Sequence, residues 1–196
     1  MNAIAVFDNQ PIQGKVFFTQ TNSQSPVILQ FQLSGFHHIS AIHIHEYGDL
    51  SEGCKSLGGH FNPTNKLHGH HAGDIVFNAI PNKKGEYIYT YKTKELSLYP
   101  GKKNIIGRSL VIHNYIDDYG KQGRFIEKDD FQLYQEMTYE NIVLFTKMSG
   151  YPLKSKKEMI SKLMSSSLET GNAGERLACA IIGLRPSNPK LSRGCA

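Results

Sequence analysis

The sequence predicts an all-β fold, a Greek-key β-sandwich or flattened barrel of about eight strands with long functional loops. Three observations predict it. From Ala3 to about Asn114 the chain breaks into short runs of β-branched and aromatic residues, separated by Gly, Pro, Asn and Ser, which is how successive short strands and their turns read. Within those runs apolar and polar residues alternate, the period of a strand with one buried face. The 196 residues are 39% hydrophobic and 20% charged, ordinary globular usage, and a chain of this length can bury roughly 70% of its unfolded surface. One domain over residues 1–196 is expected, without an internal repeat.

The elements follow in order. Val27, Leu29, Phe31 and Leu33 alternate with Ile28, Gln30 and Gln32, a half-buried strand. Ala41 to Glu46 is a second, in which His43 and His45 share one face while Ile42 and Ile44 take the other. Asp74 to Ile80 and Gly85 to Tyr91 flank the turn-forming Pro81-Asn82-Lys83-Lys84, and this spacing predicts a hairpin. Gly107 to His113 repeats the alternation and ends in a histidine. Leu177 to Leu184 reads as a closing strand. Between these last two lies an excursion at about 124–167, rich in charge of both signs. A structureless loop of that length is uncommon in a compact domain, so part of it is expected to be helical. The tail at about 185–196 has no pattern and is expected to be loosely held.

Composition narrows the function. The longest apolar run, Leu177 to Leu184, is far short of the roughly 20 residues that cross a bilayer, and the start of the chain has no secretory leader pattern. A cytoplasmic protein without membrane association is expected. The net charge of +5 and pI near 9.0 suit an anionic partner, but no basic stripe interleaved with aromatics supports nucleic acid. Cys54, Cys179 and Cys195 contain no CxxC pair, which argues against a zinc ribbon or a disulfide-dense secreted scaffold.

The histidines carry the chemistry. Six of the nine fall between positions 43 and 71. A His-x-His pair on a strand is a weak metal signal alone, and isolated histidines such as His37 and His38 read as ordinary exposed residues. His60 lies in the glycine-rich Gly58-Gly59-His60-Phe61-Asn62-Pro63, and His68, His70, His71 and Asp74 crowd into seven residues. Imidazole suits copper and zinc, and a mixed imidazole and carboxylate set suits zinc. So many donors exceed one four-ligand site and imply two sites or spare residues.

Four segments resemble the copper/zinc superoxide dismutases: His43-Ile44-His45-Glu46-Tyr47-Gly48-Asp49, Gly58 to Pro63, Ile105 to His113, and Gly171-Asn172-Ala173-Gly174-Glu175-Arg176-Leu177-Ala178-Cys179. The resemblance covers about residues 1–123 and 168–184. It implies copper held by His43, His45, His60 and His113, and zinc held by His60, His68, His71 and Asp74, with His60 bridging the two. His71 is taken over His70 because His71-Ala72-Gly73-Asp74 keeps the family's H-x-G-D pattern. Asp117 resembles the carboxylate that orients one copper and one zinc histidine. Cys54 and Cys179 resemble the family's disulfide, and Cys195 has no counterpart.

The implied activity is disproportionation of superoxide to dioxygen and hydrogen peroxide. The resemblance further implies that Arg176 holds the anion and that His60 handles a proton. A homodimer through Tyr47-Gly48-Asp49 and Ile182-Gly183-Leu184 is implied, and a copper-delivery partner is a further expectation. Two departures stand out. The segment between His68 and His71 is shorter than the family's, and Glu169 stands where a lysine is usual. Lys154, Lys156 and Lys157 are the candidates to restore that charge. The rival reading is a catalytically silent protein of the same fold that carries or sequesters copper or zinc.

Overall fold

The structure, a computed structural model, describes residues 1–8, 10–120 and 165–186. Among them nine strands form two antiparallel sheets. The five-stranded sheet runs β6 (Tyr87–Thr93), β3 (Val27–Ser34), β2 (Gln13–Thr19), β1 (Asn2–Phe7), β9 (Gly183–Arg185). The four-stranded sheet runs β5 (Asp74–Ala79), β4 (Ser40–His45), β7 (Ser109–His113), β8 (Arg176–Ile181). Lys55–Leu57 form a short 3-10 turn and residues 165–170 are helical.

The alternation explains the layers. Val27, Leu29, Phe31 and Leu33 are buried while Gln30 and Gln32 face solvent. Val16 and Phe18 from β2 join them, and Ile42, Ile44, Leu110 and Ile112 close the core from the other sheet. Each such side chain contributes about 1.5–3 kcal/mol by leaving water. The sandwich is therefore all-β as expected, although open rather than a closed barrel: β5 and β6, consecutive in the chain, are edge strands of different sheets.

That last fact overturns the expected hairpin. The turn itself forms, with the Asn82 side chain accepting from the Lys84 and Glu86 amides. The Gly85 carbonyl, however, accepts from the Phe36 amide, which draws the chain to the end of β3, and β6 then pairs with β3 along its length. Alternation specifies a buried face but names no partner.

The expected closing strand is also divided. Arg176–Ile181 pairs with β7, whereas Gly183–Arg185 pairs with β1 in the other sheet. Ile182 is the crossing point, tied to Arg108 and Gly107 through its amide and carbonyl. Arg185, placed in the loose tail by the sequence, is a strand residue opposite Asn2, with its guanidinium over the Phe17 ring. Residues 165–167 show that the end of the excursion is helical. The rest of it, including Lys154, Lys156 and Lys157, and the tail with Cys195 lie outside the described residues.

Candidate metal centre

Two neighbouring strands build half of the centre. In the β4 and β7 pairing Ile42 sits opposite Ile112 and Ile44 opposite Leu110, and all four enter the core. The intervening residues point away from it, so His43, His45 and, at the end of β7, His113 converge outside the sheet. These rings are buried: His43 is 0% exposed, His45 1% and His113 3%.

His60 arrives from a loop that copies a strand. The Phe61 amide donates to the Ile44 carbonyl, the Glu46 amide donates to Gly59, and His60 forms an isolated bridge opposite His45. Gly73 locks the same corner by accepting from the Ile44 amide and donating to Phe61. His43, His45, His60 and His113 consequently offer ligand atoms that all lie within 4.8 Å of one another.

His60 also belongs to a second group, with His68, His71 and Asp74, on the same 4.8 Å criterion. Asp74 organises it. Its Oδ1 lies 2.9 Å from His60 Nδ1 and 3.3 Å from His71 Nδ1, and its Oδ2 lies 3.5 Å from His68 Nδ1. Oδ2 also accepts from the amides of Gly69 and His71. The short connection from His68 to His71 is thus wrapped around one carboxylate. Gly69 makes the wrap possible, because its φ of +87° is open to glycine and a Cβ there would stand 2.7 Å from the Tyr119 carbonyl. His71 joins the group, whereas His70, His37 and His38 do not.

Asp117 connects the two groups. Its carboxylate lies 2.8 Å from His43 Nε2 and 2.9 Å from His68 Nε2. Arg176 opens β8 opposite His113, and its guanidinium donates to the carbonyls of Cys54, Lys55 and Gly58. The Cys54–Cys179 disulfide joins that loop to β8 across a sequence separation of 125.

The donor set fits two metals. His45 Nδ1 donates to the Gly58 carbonyl and His113 Nδ1 to Gly174, which leaves both Nε2 atoms, 3.2 Å apart, directed at a common point. His43 Nδ1 and His60 Nε2 are buried with no hydrogen-bond partner. Four converging buried nitrogens, on rings of which His45, His60 and His113 are hydrogen-bonded through the other nitrogen and His43 lies 2.8 Å from Asp117 through it, are a metal site by chemistry. Three imidazoles and a carboxylate around the other face of His60 suit zinc.

The comparisons with known proteins decide the family. The copper/zinc superoxide dismutase family model matches residues 12–135. The chain is 33% identical to the superoxide dismutase [Cu-Zn] of Cryptococcus neoformans var. grubii over 88% of this chain and 90% of that one. It is 32% identical to superoxide dismutase [Cu-Zn] 5 of Dictyostelium discoideum, over 94% and 98%. The chain belongs to the copper/zinc superoxide dismutase family. The extracellular superoxide dismutase [Cu-Zn] of Drosophila melanogaster is 33% identical over 91% of this chain and 79% of that one. A solved structure titled as the clock protein EA4 superposes with a TM-score of 0.65 at 31% identity, covering 93% of each chain.

For a member of this family the electrostatics are informative. Burial, reinforced by the neighbouring rings, holds His43 well below the ordinary imidazole value. The same causes bring His45 to about 2 and His113 to about 3, so these rings stay neutral and able to ligate. On the other side burial would lower His68, but its hydrogen bond to Asp117 and the charge of Asp74 raise it instead. Asp74, which burial alone would raise, is held well below the usual carboxylate range by His60, His71 and His68. Burial lowers Arg176.

Sequence reasoning missed the backbone part of the site. The Gly58 carbonyl accepts from both His45 and Arg176, and the Gly174 carbonyl accepts from His113. The glycines themselves were visible in the sequence; which carbonyls they would present was not. No described helix is long and apolar enough to cross a membrane.

Proposed function

We propose that this chain is a working superoxide dismutase, in which His43, His45, His60 and His113 hold copper and His60, His68, His71 and Asp74 hold zinc. The observation that carries the reading is the pair of buried donor groups sharing one imidazole, His60, with Arg176 opposite His113 at their edge. When bound, copper supplies a one-electron couple that takes an electron from one superoxide and gives it to a second, while zinc, which has no redox chemistry, holds the shared imidazole.

The residues do the rest. Two superoxide anions and two protons yield one dioxygen and one hydrogen peroxide. Arg176 holds each incoming anion through its permanent charge, and three backbone carbonyls keep its guanidinium from swinging away. His60 Nε2 is the nitrogen that carries one proton to the forming peroxide, and solvent supplies the other. Asp74, 2.9 Å from His60 Nδ1, keeps the ring in place on the other side.

A homodimer belongs to the same proposal. Gly48 packs against Gly107 and Ile181, and Tyr47 and Leu184, from the two segments that the dimer would use, are 52% and 62% exposed. A copper-delivery partner and a cytoplasmic location are part of it too, and the disulfide is the observation that weighs against that location, because thiols are kept reduced there.

A second reading, a silent metal carrier of the same fold, draws on the clock-protein title of the superposed structure. Elemental analysis of protein loaded with copper and zinc, paired with a dismutation assay on the same sample, separates the two. One copper and one zinc per chain with fast dismutation is expected. Zinc alone, without dismutation after copper is supplied, would leave the carrier.

A further inference from the structure

The segment that covers the zinc-side histidines is gripped by one carboxylate. Gly171 lies directly against them: with φ at +64°, it faces a space where a Cβ would collide with Asp117 Oδ1 and His68 Nε2. Nothing larger than glycine fits, so the backbone of residues 165–172 acts as the wall over the His68–Asp117 pair.

Asp118 holds that wall. Its Oδ1 accepts from Ser167 Oγ at 2.9 Å, and its Oδ2 accepts from Asn172 Nδ2 at 2.6 Å. Its own amide donates to the Gly171 carbonyl at 2.8 Å, and the Gly171 amide donates to Ser167. Ser167 is 0% exposed, so its bond to Asp118 is made away from water, where a charge-assisted hydrogen bond is strongest. On the inner side the Gly120 amide donates to Asp118 Oδ1, which anchors the carboxylate to the turn that also carries Asp117. One side chain therefore grips the covering segment from both sides of Gly171, while its neighbour Asp117 grips the histidines beneath.

We infer that Asp118 is a positioning residue, which keeps residues 165–172 closed over the His68–Asp117 pair and thereby sets how slowly the zinc-side group releases its metal. The inference rests on the proposed zinc assignment of His60, His68, His71 and Asp74. Asp118 touches none of these donors in the bonds just described. It acts by excluding water and competing ligands from His68 and by keeping Asp117 on the His68 ring. Asp117, which Asp118 keeps in place, is an outer partner of the kind whose alteration changes metal affinity by roughly 10–100-fold.

The test is the rate at which protein loaded with copper and zinc releases each metal to a chelator. Asp118→Asn keeps the shape but turns an amide toward the Asn172 donor, and it is expected to release zinc on the order of tenfold faster with copper release unchanged. Ser167→Ala removes one bond without touching the turn and is expected to act in the same direction, more weakly. Combining D118N with N172D reverses donor and acceptor across one contact and is expected to restore slow release. Zinc release from Asp118→Asn within about twofold of the parent rate, or equal acceleration of copper and zinc, would overturn the inference. A parent protein that takes up no zinc would instead overturn the zinc assignment itself, and shows as missing metal before any rate is measured.

Discussion

The copper-side and zinc-side groups share His60 but are built on opposite principles. His43, His45 and His113 ride on β4 and β7, whose core-facing residues Ile42, Ile44, Leu110 and Ile112 fix the register. A slip by one residue would turn every apolar side chain outward, so packing of the core and placement of these ligands are one event. His68, His71 and Asp74 ride on a connection without regular structure, apart from Asp74 at the start of β5. There the ordering agent is the Asp74 carboxylate, which gathers two backbone amides and three imidazoles. Geometry set by hydrophobic burial persists without a metal. Geometry set by polar contacts is cheaper to disturb.

The largest effect should come from removing what the two groups share. His60→Ala is expected to weaken both metals by more than the roughly 10–100-fold of an outer-partner change, and metal titration of the variant checks it. Retention of copper at the parent affinity would show that the strand-borne ligands suffice alone and would sharpen the contrast.

Next comes the disulfide. Closing a loop of 125 residues is worth about 5 kcal/mol in the chain-entropy account, so Cys179→Ser should lower unfolding stability by up to that amount in chemical denaturation. Because Cys54 also supplies a carbonyl to Arg176, the variant should lose anion affinity as well. Unchanged anion binding would mean that the carbonyls of Lys55 and Gly58 hold the guanidinium without help.

Acid separates the two groups on the metal-free protein. His43, His45 and His113 have folded values far below their unfolded one, so the stability they contribute is complete above about pH 6.5 and is lost as pH falls, for His45 and His113 toward about 2 and about 3. Asp74, also lowered, has the same sign, losing its contribution as pH falls below the usual carboxylate range. His68 has the opposite sign: raised, it stabilises at low pH and loses that contribution as pH rises through its folded value. Denaturation measured across pH should show a net fall on acidification, larger once His68 is replaced by Ala, because the one group of opposite sign is then gone. A flat profile below pH 6.5 would break the comparison.

The smallest effect concerns one glycine. Gly69→Ala forces a side chain into the left-handed region at φ +87° and against the Tyr119 carbonyl, a local strain of about 1–3 kcal/mol. Zinc affinity should fall while copper affinity holds, as read by competitive titration of each metal.

How much of this was legible beforehand follows the same division. The copper-side strands announced themselves, because His43 and His45 sit at alternate positions between Ile42 and Ile44, and period two is a local property of the chain. The predicted hairpin between Asp74–Ile80 and Gly85–Tyr91 failed because partner choice is not local: Phe36, distant in sequence, draws Gly85 toward β3. The split at Ile182 was hidden for a related reason, since Arg108 and Gly107 decide where β8 ends. Asp118 carried no visible signal, because the resemblance assigned a role to Asp117 alone and the partners of Asp118, Ser167 and Asn172, lie 49 and 54 residues on.

The sequence by itself determined which residues alternate, which are apolar enough to make a core, and which donor types are present in what order, since each is written in neighbouring positions. Only the tertiary structure decided which strand pairs with which, which histidine nitrogens are freed by a carbonyl behind them, and what Asp118, next to Asp117, holds. Those choices depend on contacts between residues far apart in the chain, where burial raises the cost of every unpaired polar atom and leaves few arrangements that satisfy them all.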